Sequence, residues 1–254
     1  MSVVLNEVKE AERILNSGEV GNKPTSTLFL LGKYYRQKQM MDKTQASMEL
    51  DFFMMDNYKN YNPALWENII EDISKKANKY PLREIDSIGI SQGELDEISK
   101  LSNIKYEKLV FTMLCFAKLY NTISENNNGW VNISIPEIFR IARVAVKYKK
   151  DKFLYLNDIE KSALISFSNK NDNLNLKINF VNDGLDKSVI YISDFRELGY
   201  EYLNYIGDGN FIRCSECGRL VRKKSKFDSS TKYCNECSSL VKAIQKKEWD
   251  RKNR

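Results

Sequence analysis

The stretch SALISFSNKNDNLNLKINFV, residues 162–181, decides how this chain is read. Ile165 and Phe167 alternate with serines, and Leu174, Leu176, Ile178 and Phe180 alternate with asparagine and lysine. A period of two puts alternate side chains on one face of a strand. The residues between the runs, NKNDN, are turn formers, so the pair predicts a β-hairpin. The chain is therefore expected to be mainly α with small β rather than wholly helical.

Working upstream, YEKLVFTMLCFAKLYNTI (106–123) is apolar at helical spacing, and Cys115 within it reads as packing. NNNGW is a turn, and WVNIS alternates as a short strand. Pro136 opens a helix, IPEIFRIARVA, which breaks at Val146-Lys147 before YKKDKFLYLNDIEKSALI. The predicted order is helix, strand, helix, helix, strand, turn, strand.

That order resembles a winged helix-turn-helix over roughly residues 105–182. The run EIFRIARVAVKYKKDKFLYLNDIEKSALISFS resembles the second and third helices of winged-helix domains, with Ala163-Leu164-Ile165 where the family usually has Gly-Leu-Ile. The resemblance implies that the third helix enters the major groove of DNA. Around its start stand Arg140, Arg143, Lys147, Tyr148, Lys149, Lys150 and Lys152, with Asp151 the one acid between 140 and 152. Basic residues at a helix N-terminus suit phosphate contacts. The alternative is a scaffold winged helix that binds protein. Lys170 and the asparagines of the wing are further candidates for backbone contact, although the turn already explains the asparagines.

The chain carries four of its five cysteines as C-x2-C-x16-C-x2-C: Cys214, Cys217, Cys234 and Cys237. Two close pairs around a loop is the ligand spacing of a closed tetrahedral zinc site. Four protein ligands leave no position for an activated water, so the expected cofactor is one structural Zn2+, preferred over an Fe–S cluster. Gly218 follows Cys217 where the backbone must turn tightly. Arg219-Leu220-Val221 and Thr231-Lys232-Tyr233 flank the polar loop KKSKFDSS and are expected to pair as a hairpin. After Cys237, SSLVKAIQKKEWDRKNR reads as a helix, with Leu240, Ile244 and the stem of Lys247 on one face. CxxCG, a basic loop, YCxxC and a basic tail helix resemble the small four-cysteine fingers, treble-clef or zinc-ribbon-like, of phage and mobile-element proteins. The resemblance implies phosphate contacts by Arg219, Arg222, Lys223, Lys224, Lys226 and Lys232, and by Lys242, Lys246, Lys247, Arg251, Lys252 and Arg254. The plainer reading is a zinc clip whose charge keeps it soluble.

Charge distribution agrees with a polyanion partner. Residues 210–254 hold 13 Lys and Arg against 5 Asp and Glu, whereas the chain as a whole is only +6. Four thiolates on one Zn2+ return about two negative charges to this segment. A basic segment on a near-neutral body is the footprint of nucleic-acid binding. The chain has no histidine, which excludes every imidazole mechanism. The tight acidic group Glu67, Glu71 and Asp72 reads as a solvated helix face. The protein is expected not to be an enzyme.

The remaining segments complete four expected domains. Residues 1–88 form a helical domain: a helix over 2–16 stopped by Gly18, one opened by Pro24-Thr25, one capped by Asp42, and PALWENIIEDISKKANKY opened by Asn62-Pro63 and stopped by Pro81. Leu65, Trp66, Ile69, Ile70 and Ile73 are its expected buried positions. Phe29, Tyr34, Tyr35, Phe52, Phe53 and Trp66 are expected in the core. The winged-helix-like domain spans 89–187 and opens with a capping box, Ser91 to Glu94. A strand and an aromatic helix capped by Ser193 or Asp194 connect over 188–209. There Tyr200, Tyr202 and Tyr205 either stack on bases or pack the zinc module onto the body. The zinc module is 210–254. The longest largely apolar run, Leu109–Ala117, is too short to span a bilayer. The N-terminus lacks the plan of a signal peptide. No membrane partner and a cytoplasmic location, where paired cysteines stay reduced, are expected. A transcriptional regulator or a replication or recombination accessory factor, with DNA favoured over RNA, is the leading expectation. The alternative is a protein–protein adaptor that docks through the zinc finger and the helical domain.

Overall fold

The computed structural model describes residues 4–124, 126–168, 175–182 and 187–252; the side chains of 243, 244, 247, 248 and 250–252 are outside the description. The turn between the alternating strands, with Lys170, and Arg254 also lie outside it. The chain divides into two compact units, Val4–Asp86 and Ser87–Arg254.

The first unit is helical: α1 (Glu7–Ser17), α2 (Pro24–Lys33) running into a π-helical turn (Tyr34–Lys38), α3 (Lys43–Asn57) and α4 (Pro63–Ala77). Local chemistry sets the ends. Asn6 caps α1, which stops at Gly18 with φ 67°. A side chain at Gly18 would also run into the Asn57 side chain. Asp42 and Gln45 close a capping box on α3, and Asn62 accepts from the Ala64 N–H at the start of α4. The helix ends at Ala77, before Pro81. Val8, Ala11, Ile14, Leu28, Leu31, Tyr34, Tyr35, Leu50, Phe53, Ile70 and Ile73 form the core. Trp66 and Phe29 pack against its rim. Leu65, Ile69 and Phe52 were expected inside but are exposed, Leu65 by 71%. The apolar stripe of α4 is wider than the side on which α2 and α3 pack. One buried ion cluster closes the unit: Glu7 accepts from Lys33 and from Arg83. Burial pushes the Glu7 carboxyl up, but Lys33 and Arg83 outweigh it and hold it below the usual carboxylate range.

The second unit is built around α6 (Ile104–Ile123), buried on all sides from Lys108 to Leu119. A helix apolar all round belongs in the middle of a unit. Before it come β1 (Ile88–Ser91) and α5 (Gln92–Ser99), and Ser91 and Glu94 form the expected capping box. Glu94 is buried there with the Lys118 amine, which also donates to the Asn182 carbonyl. After α6 come β2 (Trp130–Val131), α7 (Ile135–Ile141), α8 (Asp151–Glu160), β3 (Ile165–Phe167) and β4 (Leu176–Ile178). The three strands form one antiparallel sheet in the order β2-β4-β3. Ile165 faces Ile178 and Val131 faces Leu176, and all four are buried. β5 (Ser188–Ile192) pairs antiparallel with β1, which was not anticipated because so short a strand merges with the cap of α5.

α9 (Leu198–Tyr205) begins after Glu197, not at Ser193 or Asp194. Asp194 is instead engaged by the Arg196 guanidinium at 2.7 Å. Gly199 lets this helix approach α7 closely: a Cβ there would lie 1.9 Å from the Ala142 carbonyl oxygen. The unit ends with β6 (Phe211–Arg213), β7 (Leu220–Arg222) and α10 (Asn235–Lys252).

Candidate metal centre and basic surfaces

The cysteine module is a hairpin followed by a helix. β6 runs into Cys214, the chain turns through Cys217 and Gly218, and β7 returns antiparallel to β6. The expected pairing of 219–221 with 231–233 is therefore corrected. The Cys214–Cys217 knuckle is itself the hairpin turn, so the partner of β7 lies upstream of it. Cys214 N–H donates to Arg219 O and Gly218 N–H to Cys214 O, both at 2.9 Å. Gly218 has φ 69° and open space where a Cβ would stand, so backbone conformation alone calls for glycine there. The second pair straddles the start of α10. Ser215 N–H joins the halves through Lys232 O at 3.0 Å.

The four cysteines are brought together. Their sulfurs all lie within 4.8 Å of one another, and Cys217 Sγ and Cys234 Sγ are 3.8 Å apart. Four thiolates at about 2.3 Å from one tetrahedral ion stand about 3.8 Å apart, whereas a disulfide is about 2.05 Å long. The cluster can hold a metal ion. Burial pushes the Cys214 thiol up, but the N–H groups of Cys217, Cys234 and Glu216 outweigh it and bring it down to about 6. Burial and the neighbouring thiols push Cys237 up. Four sulfurs this close ionise together only around a cation. Cys115 is far from them in the core, its thiol raised by burial.

Two arginines fix the module to the body. Arg196 donates to the Cys217 carbonyl at 2.7 Å, and Arg213 spans the Glu201 carboxylate and the Gly218 carbonyl. Tyr200 packs on Phe211 of β6, and Tyr202 is buried with its hydroxyl on Glu107. Tyr205 is 40% exposed and bonds to Gln92. Packing thus accounts for Tyr200 and Tyr202. No local pattern singles out Arg196 or Arg213, although Arg213 directly precedes Cys214.

The predicted basic residues separate into engaged and exposed groups. Arg140 lies along Glu137, and Arg143 grips Glu197 with both nitrogens while lying 5.5 Å from the Tyr200 ring. Lys147 and Lys150 bring their amines to 5.3 and 5.9 Å from the Tyr148 ring, and Lys152 lies over Phe139. Lys149 is exposed. Lys147, Lys149 and Lys150 precede α8 and Lys152 stands in its first turn: the helix starts at Asp151, whose carboxylate accepts from the Tyr148 N–H at 3.1 Å. On α8 itself Phe153 and Leu154 are exposed, Leu154 by 57%.

In the cysteine module Arg219 is paired with Glu236 at 3.0 Å. Lys223 is half-buried and reaches the Lys226 carbonyl. Arg222, Lys224, Lys226, Lys232, Lys242 and Lys246 are exposed. Leu240 was expected on a covered face but is 65% exposed. The side chains of Ile244, Lys247, Arg251 and Lys252 lie outside the described residues. In the first unit Glu71 is paired with Lys43 and Asp72 with Lys76.

No helix among the described residues is long and apolar enough to cross a membrane. No protein-family model, no curated protein and no solved structure matches this chain.

Proposed function

We propose that the chain is a non-enzymatic nucleic-acid-binding protein, with DNA favoured over RNA, whose Cys214, Cys217, Cys234 and Cys237 hold one structural Zn2+. The observation that carries this reading is the loop between β7 and Cys234. It presents Arg222, Lys224, Lys226 and Lys232 to solvent on a module closed at its base by four sulfurs. Tying cations to one rigid unit lowers the entropy lost when they meet phosphates. A second support is the helix, strand, helix, helix, strand, strand order from α6 to β4, with β4 between β2 and β3. This order supports reading the segment as a winged helix-turn-helix, in which the lysines around Tyr148 would stand before the third helix. A transcriptional regulator or an accessory factor of replication or recombination, on a phage or mobile element, is the role this combination fits best.

A salt titration tests the reading. Each neutralised phosphate contributes about 0.9 to the slope of log affinity against log salt on duplex DNA. Fluorescence anisotropy with a labelled duplex is expected to give a slope of about 3 or more. Salt-independent binding, or none at low salt, overturns it.

A protein-docking adaptor is the second reading. It is favoured by Met48, Phe52 and Met55, which repeat at i, i+4 and i+7 on the outer face of α3 and are each more than half exposed. Lys224→Gln with Lys226→Gln separates the two. The adaptor reading expects intact DNA affinity and a lost protein partner in the double variant.

A further inference from the structure

The loop from Arg222 to Tyr233 carries one side chain that charge alone leaves unexplained. Phe227 is 92% exposed, the most exposed large apolar residue among those described. It occupies the third position of the turn Ser225–Asp228, closed by Asp228 N–H donating to Ser225 O at 3.2 Å. The turn is held on both sides. The Asp228 carboxylate accepts from the N–H and hydroxyl groups of Ser230 and Thr231, and Lys223 N–H donates to Asn210 O at 2.7 Å. Asp228 is the only acid in the loop, and these four bonds turn it inward on its own turn. The outer surface is therefore cationic, with the Phe227 ring on the turn directly after the exposed Lys226.

We infer that Phe227 is a stacking residue for unpaired bases, so that the zinc loop binds single-stranded nucleic acid: Arg222, Lys224, Lys226 and Lys232 take the phosphates and the ring takes a base face. This rests on the proposed nucleic-acid function and names the form of its ligand. The chemistry selects the occupant. A duplex covers both faces of its bases, so an exposed ring gains little from it, whereas a single strand offers phosphates and bare π-faces together. Cations carry sequence-independent affinity, and the ring adds a contribution that salt does not screen. A preformed turn presents the ring without an ordering cost at binding.

The test compares the zinc-loaded full chain with Phe227→Ala and Phe227→Trp. The probes are a labelled oligothymidylate of about 16 nucleotides and a duplex of equal length. Phe227→Ala is expected to weaken the single strand about ten-fold, with duplex affinity and salt slope unchanged. Phe227→Trp is expected to keep the affinity, and its emission, taken as the difference from the wild-type chain, to be quenched by the oligothymidylate. Equal single-strand affinity for wild type and Phe227→Ala, or no quenching, overturns the stacking role while leaving salt-dependent binding in place. Absence of binding by the wild-type chain to either probe removes the underlying function as well. Anionic phosphatidylserine vesicles are the third arm. If the difference emission of the Phe227→Trp variant shifts to the blue with vesicles and is not quenched by the oligothymidylate, the turn is reassigned to a lipid surface and the inference is overturned.

Discussion

Residues 140–152 and 219–232 are equally basic as text, each with six Lys and Arg against a single internal acid. Folded, they differ. In the first, both arginines are held by carboxylates, and of its three exposed lysines Lys147 and Lys150 gather on the Tyr148 ring while Lys149 stands open. In the second, only Arg219 is held by a carboxylate; Lys223 reaches a carbonyl, and four cations stand exposed beside an exposed phenylalanine. Charge along a chain counts ions, whereas binding needs ions whose partners are still to be found. The first segment spends its arginines on folding, and the second owes its exposed cations to a frame that sulfur supplies.

The largest expected effect removes that frame. Cys214→Ser, or chelation of the metal, should unfold the cysteine module, because only Leu220 and two cysteines are buried between Phe211 and Lys242. Structural zinc binding by small fingers contributes about 10–16 kcal/mol of apparent folding free energy. Limited proteolysis should cut after the lysines of 223–232 while leaving Val4–Asp86 and α6 intact, and the helical CD signal should fall only by the share of α10. Nucleic-acid affinity should drop with it. A collapse of the whole CD signal would mean that the two segments do not belong to separately stabilised parts.

Next in size is Arg143→Ala. It leaves the Glu197 carboxylate, whose side chain is 5% exposed, buried without its guanidinium. Arg143 is itself 43% exposed, so solvent screens part of the loss. A destabilisation of about 2 kcal/mol is expected in urea unfolding. The salt slope of nucleic-acid binding should not move. A lower slope at unchanged stability would return Arg143 to the binding surface.

These two outcomes also mark where the sequence could be read. Signals carried by near neighbours survived: the Asp42 cap of α3, the Ser91–Glu94 capping box, Gly18 at the end of α1, and the two CxxC pairs all stand as expected. The strands of the alternating stretch pair as Ile165 with Ile178. What failed were distant partners. Arg143 and Glu197 are 54 residues apart, and no local pattern joins them. β7 could take an upstream or a downstream partner, and composition favoured the wrong one. Leu65, Ile69 and Phe52 share helical spacing with buried neighbours, but which face is covered depends on the helices beside it. The cysteine cluster was legible because its members come in pairs that a turn or a helix start already brings together. The basic surface was only half legible, because exposure is a property of the fold.

Lys224→Gln with Lys226→Gln is expected to act in the opposite sense to Arg143→Ala. Both side chains are exposed, so unfolding should shift by less than about 0.5 kcal/mol. Removing two phosphate contacts should lower the salt slope by about 1.8 on duplex DNA. An unchanged slope would place the contacts elsewhere on the chain.

The smallest expected effect sharpens the comparison most. Arg140 is exposed and lies along Glu137 three residues before it on α7. Pairs of this kind contribute about 0.3–0.5 kcal/mol. If the first segment's arginines serve the fold, Arg140→Ala should cost that much stability and change nucleic-acid affinity by less than about two-fold. If the carboxylate merely parks the guanidinium until a phosphate displaces it, the same variant should lower the salt slope by about 0.9 with no larger loss of stability. Glu137→Gln decides between them, because freeing Arg140 should raise affinity only in the second case.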